Sequence, residues 1–257
     1  MAKKPESAAE TLDEIQSLGD RLAEWIAANS TLVLGTGVGI LVIAGGFGVV
    51  RSTQTSALEE ASTALARVDA EFREAMGAPN DAIEIVEPAN PQTALRARNE
   101  FIPRYREVAE QHAGTPVESL AWIEVGSLQS ALGQGDEAIA TWTAAADLAT
   151  SDSPARALLL SRIGAEHEAA GRWTEAAAAF EAAGDIEEYP LRYSALSDAA
   201  RCRVAADDSE RALELFDRIE TDAPGYQIPD VTRAQLEELR AIAGTAGTGE
   251  PEPEAAE

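Results

Sequence analysis

Chemistry in this chain would have to come from two histidines, one cysteine and a large excess of carboxylates. His112 and His167 stand 55 residues apart. Neither has another ligand type four residues away, the spacing that lets one helix face hold zinc. Glu166 and Glu168 flank His167, but adjacent helical residues point to different faces. Both histidines therefore read as groove or surface residues rather than metal ligands. Cys202 lies in a helical apolar pattern with Leu196, Ala199 and Ala200, where a thiol acts as a small buried hydrophobe. With no second cysteine, no disulfide forms within the chain. The 45 acidic residues bring carboxylates together by chance, and no pair stands out as an acid/base couple. No glycine-rich loop ends in Lys-Ser or Lys-Thr to cradle a phosphate, and no dinucleotide fingerprint follows a strand. The residues predict no catalysis, no cofactor and no metal.

The charge is uneven. The net value is −25, of which residues 1–51 carry −2 and residues 52–257 carry −23. A domain so acidic repels phosphate backbones and anionic headgroups, which excludes nucleic acid as a partner. The surplus acid reads as a solvated surface, or as a face that attracts basic proteins.

Ile26 to Val50 contains no charged side chain. Twenty helical residues, Thr31 to Val50, cover about 30 Å, the thickness of a bilayer's hydrocarbon core. Glu24 and Arg51 fence the run, and Trp25 sits where an indole favours the interface. A cleaved signal peptide needs a shorter basic leader and an Ala-x-Ala-like exit. Here the leader carries six acids and the run ends in Gly45-Gly46-Phe47-Gly48, so residues 26–50 are expected to be a retained transmembrane helix. Gly35, Gly39 and Gly46 share a narrow arc of it, which allows helix pairing in lipid and a homo-oligomer, or else marks an anchor with incidental glycine. Lys3, Lys4 and Arg21 favour a cytoplasmic N-terminus. Residues 1–25 form a tail with an amphipathic stretch (Leu12, Ile15, Leu22, Trp25).

The remainder is rich in Ala, Glu and Arg, good helix formers, with no alternation that reads as a sheet. It repeats internally. From Gly126 the pattern runs Gly133, Ala138, Trp142 and Ala145; from Gly164 it runs Gly171, Ala176, Phe180 and Ala183. From Ala200 the same offsets give Asp207, Ala212, Phe216 and Ile219. The starts are 38 and 36 residues apart. The pattern describes helical hairpins. A small residue in the first helix lets the second approach, and Gly133 and Gly171 end the first helix. Ala138, Ala176 and Ala212 begin the second helix's buried stripe, and the aromatic four residues on fills the gap between hairpins. Each hairpin leaves an apolar flank for the next to cover. Upstream, a helix over 52–76 (Leu58, Ala61, Leu65, Val68, Phe72) leaves the membrane. A loop spans Gly77 to Pro91, and a helix runs from Leu95 to Ala113 (Leu95, Phe101, Tyr105, Val108). Asp230 to Ala243 reads as a closing helix (Val231, Leu236, Leu239, Ile242), and 244–257 as a disordered acidic tail.

The hairpin pattern resembles tetratricopeptide repeats, whose period is about 34 residues; the longer spacing places extra loop at Ser151–Pro154 and Glu187–Pro190. The whole layout is a short tail, a glycine-rich span, and then a helical repeat domain over 52–243. It is similar to the ancillary SecYEG translocon subunit family of bacterial inner membranes (YfgM-like). The stretches that carry this are Leu22-Ala23-Glu24-Trp25 with the span, His112-Ala113-Gly114-Thr115-Pro116, and Gly171-Arg172-Trp173-Thr174-Glu175-Ala176. The resemblance implies an all-α, single-span protein with a periplasmic tetratricopeptide-like solenoid. It also implies contact with the translocon and with exported or chaperone proteins. It places a concave partner-binding wall on the first helices, at Ile123, Ser127 and Ser130, then Ser161, Ala165 and Glu168, then Ser197, Arg201 and Val204. The Lys and Asn that clamp a terminal carboxylate in some members are missing from that wall. The alternative function is a structural adaptor that oligomerises through its span to organise envelope or division complexes.

Overall fold

In the computed structural model, residues 56–78, 85 and 87–246 are described. The apolar run 26–50 with Gly35, Gly39 and Gly46, the tail before it, and residues 247–257 lie outside them. Among the described residues no helix is long and apolar enough to cross a membrane.

Prolines and polar caps start the helices. Asn90, Thr115 and Ser153 precede Pro91, Pro116 and Pro154, each at the first helical position, where the missing N–H costs nothing. The Asn90 side chain accepts from Gln92 N at 3.0 Å and Ser153 Oγ from Arg156 N at 3.2 Å. After α1 over 56–75 come α2 (Pro91–Gln111), α3 (Pro116–Ala131), α4 (Gly135–Leu148), α5 (Pro154–Ala169), α6 (Trp173–Gly184), α7 (Arg192–Ala205), α8 (Ser209–Asp222) and α9 (Asp230–Ala246). Helix α2 starts four residues before the expected Leu95, because Asn90-Pro91 forms a cap where composition alone suggested loop. Helix α9 runs on through Ala246, past the expected end at Ala243.

Consecutive helices pair as hairpins, α1 with α2 through α7 with α8, and α9 closes the stack against α8 and α7. All described secondary structure is helical. The hairpin turns share one stop signal. Gly133 N donates to Ser130 O (2.8 Å) and Gln134 N to Gln129 O (2.9 Å); Gly171 and Arg172 repeat the pair on Glu168 and His167. This double bond needs a left-handed residue after the helix, and the two glycines have φ of +76° and +71°. At the third turn Asp207 takes that role with φ +61°, donating to Val204 O (3.1 Å) while Asp208 N donates to Arg203 O (2.9 Å).

Within a hairpin the helices meet at a notch. A Cβ on Gly126 would fall inside the indole of Trp142, and one on Gly164 would lie 2.9 Å from the ring of Phe180. The Trp142 indole N–H donates to Ile123 O at 3.2 Å. Ala200 and Phe216, both 0% exposed, hold the matching positions in the third hairpin. Each ring also reaches the next unit: Trp142 clusters with Leu159 and Ile163 of α5, Phe180 with Leu196 and Ala199 of α7, and Phe216 with Ile228 and Leu236. Burial of each ring stabilises the stack by roughly 1.5–3 kcal/mol. Gly184 is a further close approach, with a hypothetical Cβ 2.5 Å from Leu196.

The end helices bury narrower stripes than their apolar residues suggest. Leu95 (39% exposed), Val231 (72%) and Ile242 (58%) lie outside the core. In α9 the buried face is Thr232 and Leu236, because only one neighbouring hairpin stands against it. Arginines tie units together: Arg172 to Asp136 (2.7 Å), Arg203 and Arg211 to Glu181 (2.7 and 2.6 Å), Arg218 to Asp185 (2.6 Å), and Arg240 to Glu220 (3.0 Å).

An L-residue at left-handed φ is strained where glycine is not. Asp207→Gly should stabilise the chain by about 0.5–1 kcal/mol, measured as a shift in urea midpoint at unchanged slope. A loss of stability would show that the aspartate side chain, not the turn geometry, holds this position.

Candidate functional site

Polar side chains join the first helices of the hairpins side by side. Asp69 of α1 adds to the raised pKa of Glu124 on α3. Ser130 of α3 donates to Glu166 of α5 at 2.6 Å, and Arg201 of α7 donates to Glu168 of α5 at 2.9 Å. Between α5 and α7 this face opens into a groove of about 310 Å³. Ser161, Ala165 and Glu168 of α5 form one side, and Ser194 and Asp198 of α7 the other. These are surface positions one and two turns apart on each helix, so the two rows face each other.

The groove floor comes from a loop. Residues 185–191 join α6 to α7 and make the extra length in the second repeat. Ile186 and Tyr189, 8% and 7% exposed, fold into a cluster with Ala157, Ala183 and Ala195. Tyr189 and Leu191 then line the groove. The Ser161 hydroxyl lies 3.3 Å from Tyr189 Oη, while Leu191 stays 57% exposed.

The nine residues expected on the partner-binding wall divide. Ser161, Ala165 and Glu168 line the groove, and Arg201 braces its edge. Ser127 and Ser130 are half-buried and already bonded, to Ile123 O (2.8 Å) and to Glu166. Val204 is half-buried against the core of the third hairpin. Ile123 and Ser197 are 5% and 3% exposed and cannot meet a partner. Ile123 packs with Trp142, Leu159 and Ile163. On α7 the surface row is Ser194, Asp198 and Arg201, one turn earlier than the expected Ser197, Arg201 and Val204. Ile123 and Ser197 hold the same repeat offset, three residues before Gly126 and Ala200, and both are buried.

The electrostatics were hidden from the sequence. Arg201 donates to both Glu168 (2.9 Å) and Asp198 (3.1 Å). Burial raises the Asp198 carboxyl above its ordinary pKa, against the opposing pull of Arg201. Tyr105 Oη donates to Asp69 at 2.7 Å, and burial, then that bond, pushes the phenol well above its usual value. Burial also raises Glu124, and Asp69 adds to it, while Arg162 acts in the other direction. The influence of Asp69 on Glu124 joins helices far apart in sequence. No local spacing signals it.

The other reactive side chains stand apart from this face. Cys202 is fully buried, and burial pushes its thiol up to about 12. Burial and then Arg172 hold His167 below the ordinary imidazole range. Among the described residues no group of three or more His, Cys, Asp or Glu is arranged to hold a metal ion. The geometry offers a surface slot with hydroxyls and an apolar floor.

The folded protein keeps the Glu124 proton to higher pH than the unfolded chain does. Stability therefore falls as pH rises from the ordinary carboxylate value to the raised one. Glu124→Gln should flatten that fall and stabilise the protein at pH 7 relative to pH 4, read from unfolding midpoints at the two pH values. An unchanged pH profile would show that burial of Glu124 carries no penalty.

No protein-family model matches the chain, and no curated protein matches it. Among solved structures it is similar to "kinesin light chain nearly identical TPR-like repeats" from Podosopora anserina. A single-substitution variant of that protein aligns with a TM-score of 0.44 and 19% identity, over 61% of this chain and 85% of that one. A second structure of the same repeats gives 0.41 and 18%, over 62% and 95%. The tetratricopeptide-like solenoid is assigned here on the chain's own hairpins, with their shared turns and aromatic notches.

Proposed function

We propose that this chain is a membrane-anchored docking protein whose hairpin stack receives an extended segment of another protein and catalyses nothing. The observation that carries the reading is the open slot between α5 and α7, about 310 Å³ in volume. Beside it Phe180 packs α6 against α7, and Arg201 of α7 holds Glu168 of α5. Here a loop supplies a floor and leaves the top uncovered. Exposed Leu191 and half-buried Ser161 give that floor both apolar surface and hydroxyls, the mixture that a polypeptide backbone with side chains requires.

In this reading residues 26–50 hold the chain in a bacterial inner membrane, with the tail cytoplasmic and the repeats outside. The partners are then the Sec translocon and the exported or chaperone proteins near it. The charge-free run of membrane length and the glycine-rich arc support the anchor. The layout of span and repeats supports the translocon assignment by resemblance alone.

A photo-crosslinking residue placed at Ala165, in the groove, should capture subunits of the secretion channel or exported chains in intact membranes. The same residue at exposed Thr143 of α4 should not. Equal capture from both positions would overturn the docking site. A phosphatase reporter fused after Ala246 should be active in the periplasm, and activity confined to the cytoplasm would overturn the translocon assignment.

A further inference from the structure

The second helices of the hairpins have an open face of their own. Between α2 and α4 lies a groove of about 340 Å³, lined by Arg106 of α2, Trp122 of α3, and Ala140, Thr141, Ala144 and Leu148 of α4. Ala140 and Ala144 are small and exposed, one turn apart on the same side of the helix. Leu148, one turn further on, is 69% exposed. The patch thus holds a hollow that a helix backbone can approach and, at its end, a large apolar side chain with little over it. Two charges accompany them. Arg106 and Asp147 are both exposed, and among the described residues neither makes an ion pair. At about 100° per residue, Asp147 stands about 60° from Ala144, on the side opposite Thr141. Thr141 lines the groove and Asp147 does not. Asp147 therefore sits on the flank of α4 turned away from its own Arg106.

A hollow with a knob, and a cation with an anion, make one patch complementary to itself, as an isologous contact requires. We propose that a second copy of this chain docks here, its α4 lying in the groove between α2 and α4 of the first and its own groove receiving the first copy's α4. A two-fold axis running along the helices satisfies both insertions. It makes the two α4 helices parallel and brings like residues to the same level, Ala144 beside Ala144 and Leu148 beside Leu148. The exposed alanines let the helices reach the short end of the usual separation of about 8–10 Å. Each α4 then turns its Asp147 flank toward the other copy's α2, where Arg106 stands. The contact uses no residue of the α5–α7 groove and is independent of the docking reading above. The net charge of −23 on residues 52–257 opposes association at long range. Salt at about 0.15 M screens charges more than about 8 Å apart and acts less on a pair in contact.

The test uses the full chain in mild detergent at about 0.15 M salt. Sedimentation should show a monomer–dimer equilibrium. Arg106→Asp and Asp147→Arg should each weaken it by about tenfold or more, with circular dichroism unchanged. The two reversals together should restore the dissociation constant to within about threefold, because each exchanged charge meets its exchanged partner across the axis. Ala144→Cys fixes the register. Under mild oxidation it should give a disulfide-linked dimer, since like residues face each other there within disulfide reach. Val231→Cys, 72% exposed on α9, should not. The native Cys202 is fully buried and takes no part. A protein that stays monomeric at every concentration overturns the contact. So does a dimer that either single reversal leaves unchanged, or that the double reversal fails to restore. A dimer in which Ala144→Cys forms no disulfide places self-association elsewhere, the glycine-rich span included, and overturns it as well.

Discussion

In the hairpins α3/α4 and α5/α6 the second helix comes close because the first offers a hydrogen where other residues carry a carbon. The Trp142 indole takes the place of a Cβ on Gly126, and the Phe180 ring the place of one on Gly164. That approach sets the distance between paired helices. The same rings then reach across to the next unit, Trp142 to Leu159 and Ile163, Phe180 to Leu196. One side chain thus joins the two helices of a hairpin and joins that hairpin to its neighbour. A stack built this way has few contacts between distant units, as expected of a solenoid, and its first helices are left side by side with a face toward solvent.

What that face presents depends on where the charges go. Arginine is used structurally: Glu181, half-buried on α6, is held by Arg203 and Arg211 from the next hairpin. Such pairs draw the basic side chains into the interfaces and leave the acidic excess outside. The α5–α7 slot is the exception in shape rather than in charge. Arg201 bridges Glu168 and Asp198 at its edge, and its floor is supplied by a loop that the repeat does not require.

The repeats, their small residues and their aromatics were legible because they are local: fixed offsets within about 20 residues encode one hairpin. Gly133 and Gly171 could be placed at turns for the same reason, and Asp207 at the same offset takes the same left-handed backbone. Helix ends were less legible. Asn90-Pro91 looked like loop because prolines and acids crowd the preceding residues, yet its cap starts α2. The face was the least legible. Ile123 and Ser197 were expected on it and are buried, since exposure depends on how each hairpin is rotated against the next. Tyr189 and Leu191 belong to it through contacts between segments that no repeat spacing records. The excess length of the second repeat was the one available sign that something had been added there.

The dependence of the stack on ring-over-glycine packing is tested most directly by a double-mutant cycle between Gly164 and Phe180, followed by chemical unfolding of the full chain. With Phe180 present, Gly164→Ala should destabilise, although alanine is the better helix former by about 1 kcal/mol. With Phe180→Leu it should become neutral or stabilising. The predicted coupling is about 1–3 kcal/mol. Additive effects, with no coupling between the two sites, would contradict the notch as the contact on which each hairpin closes.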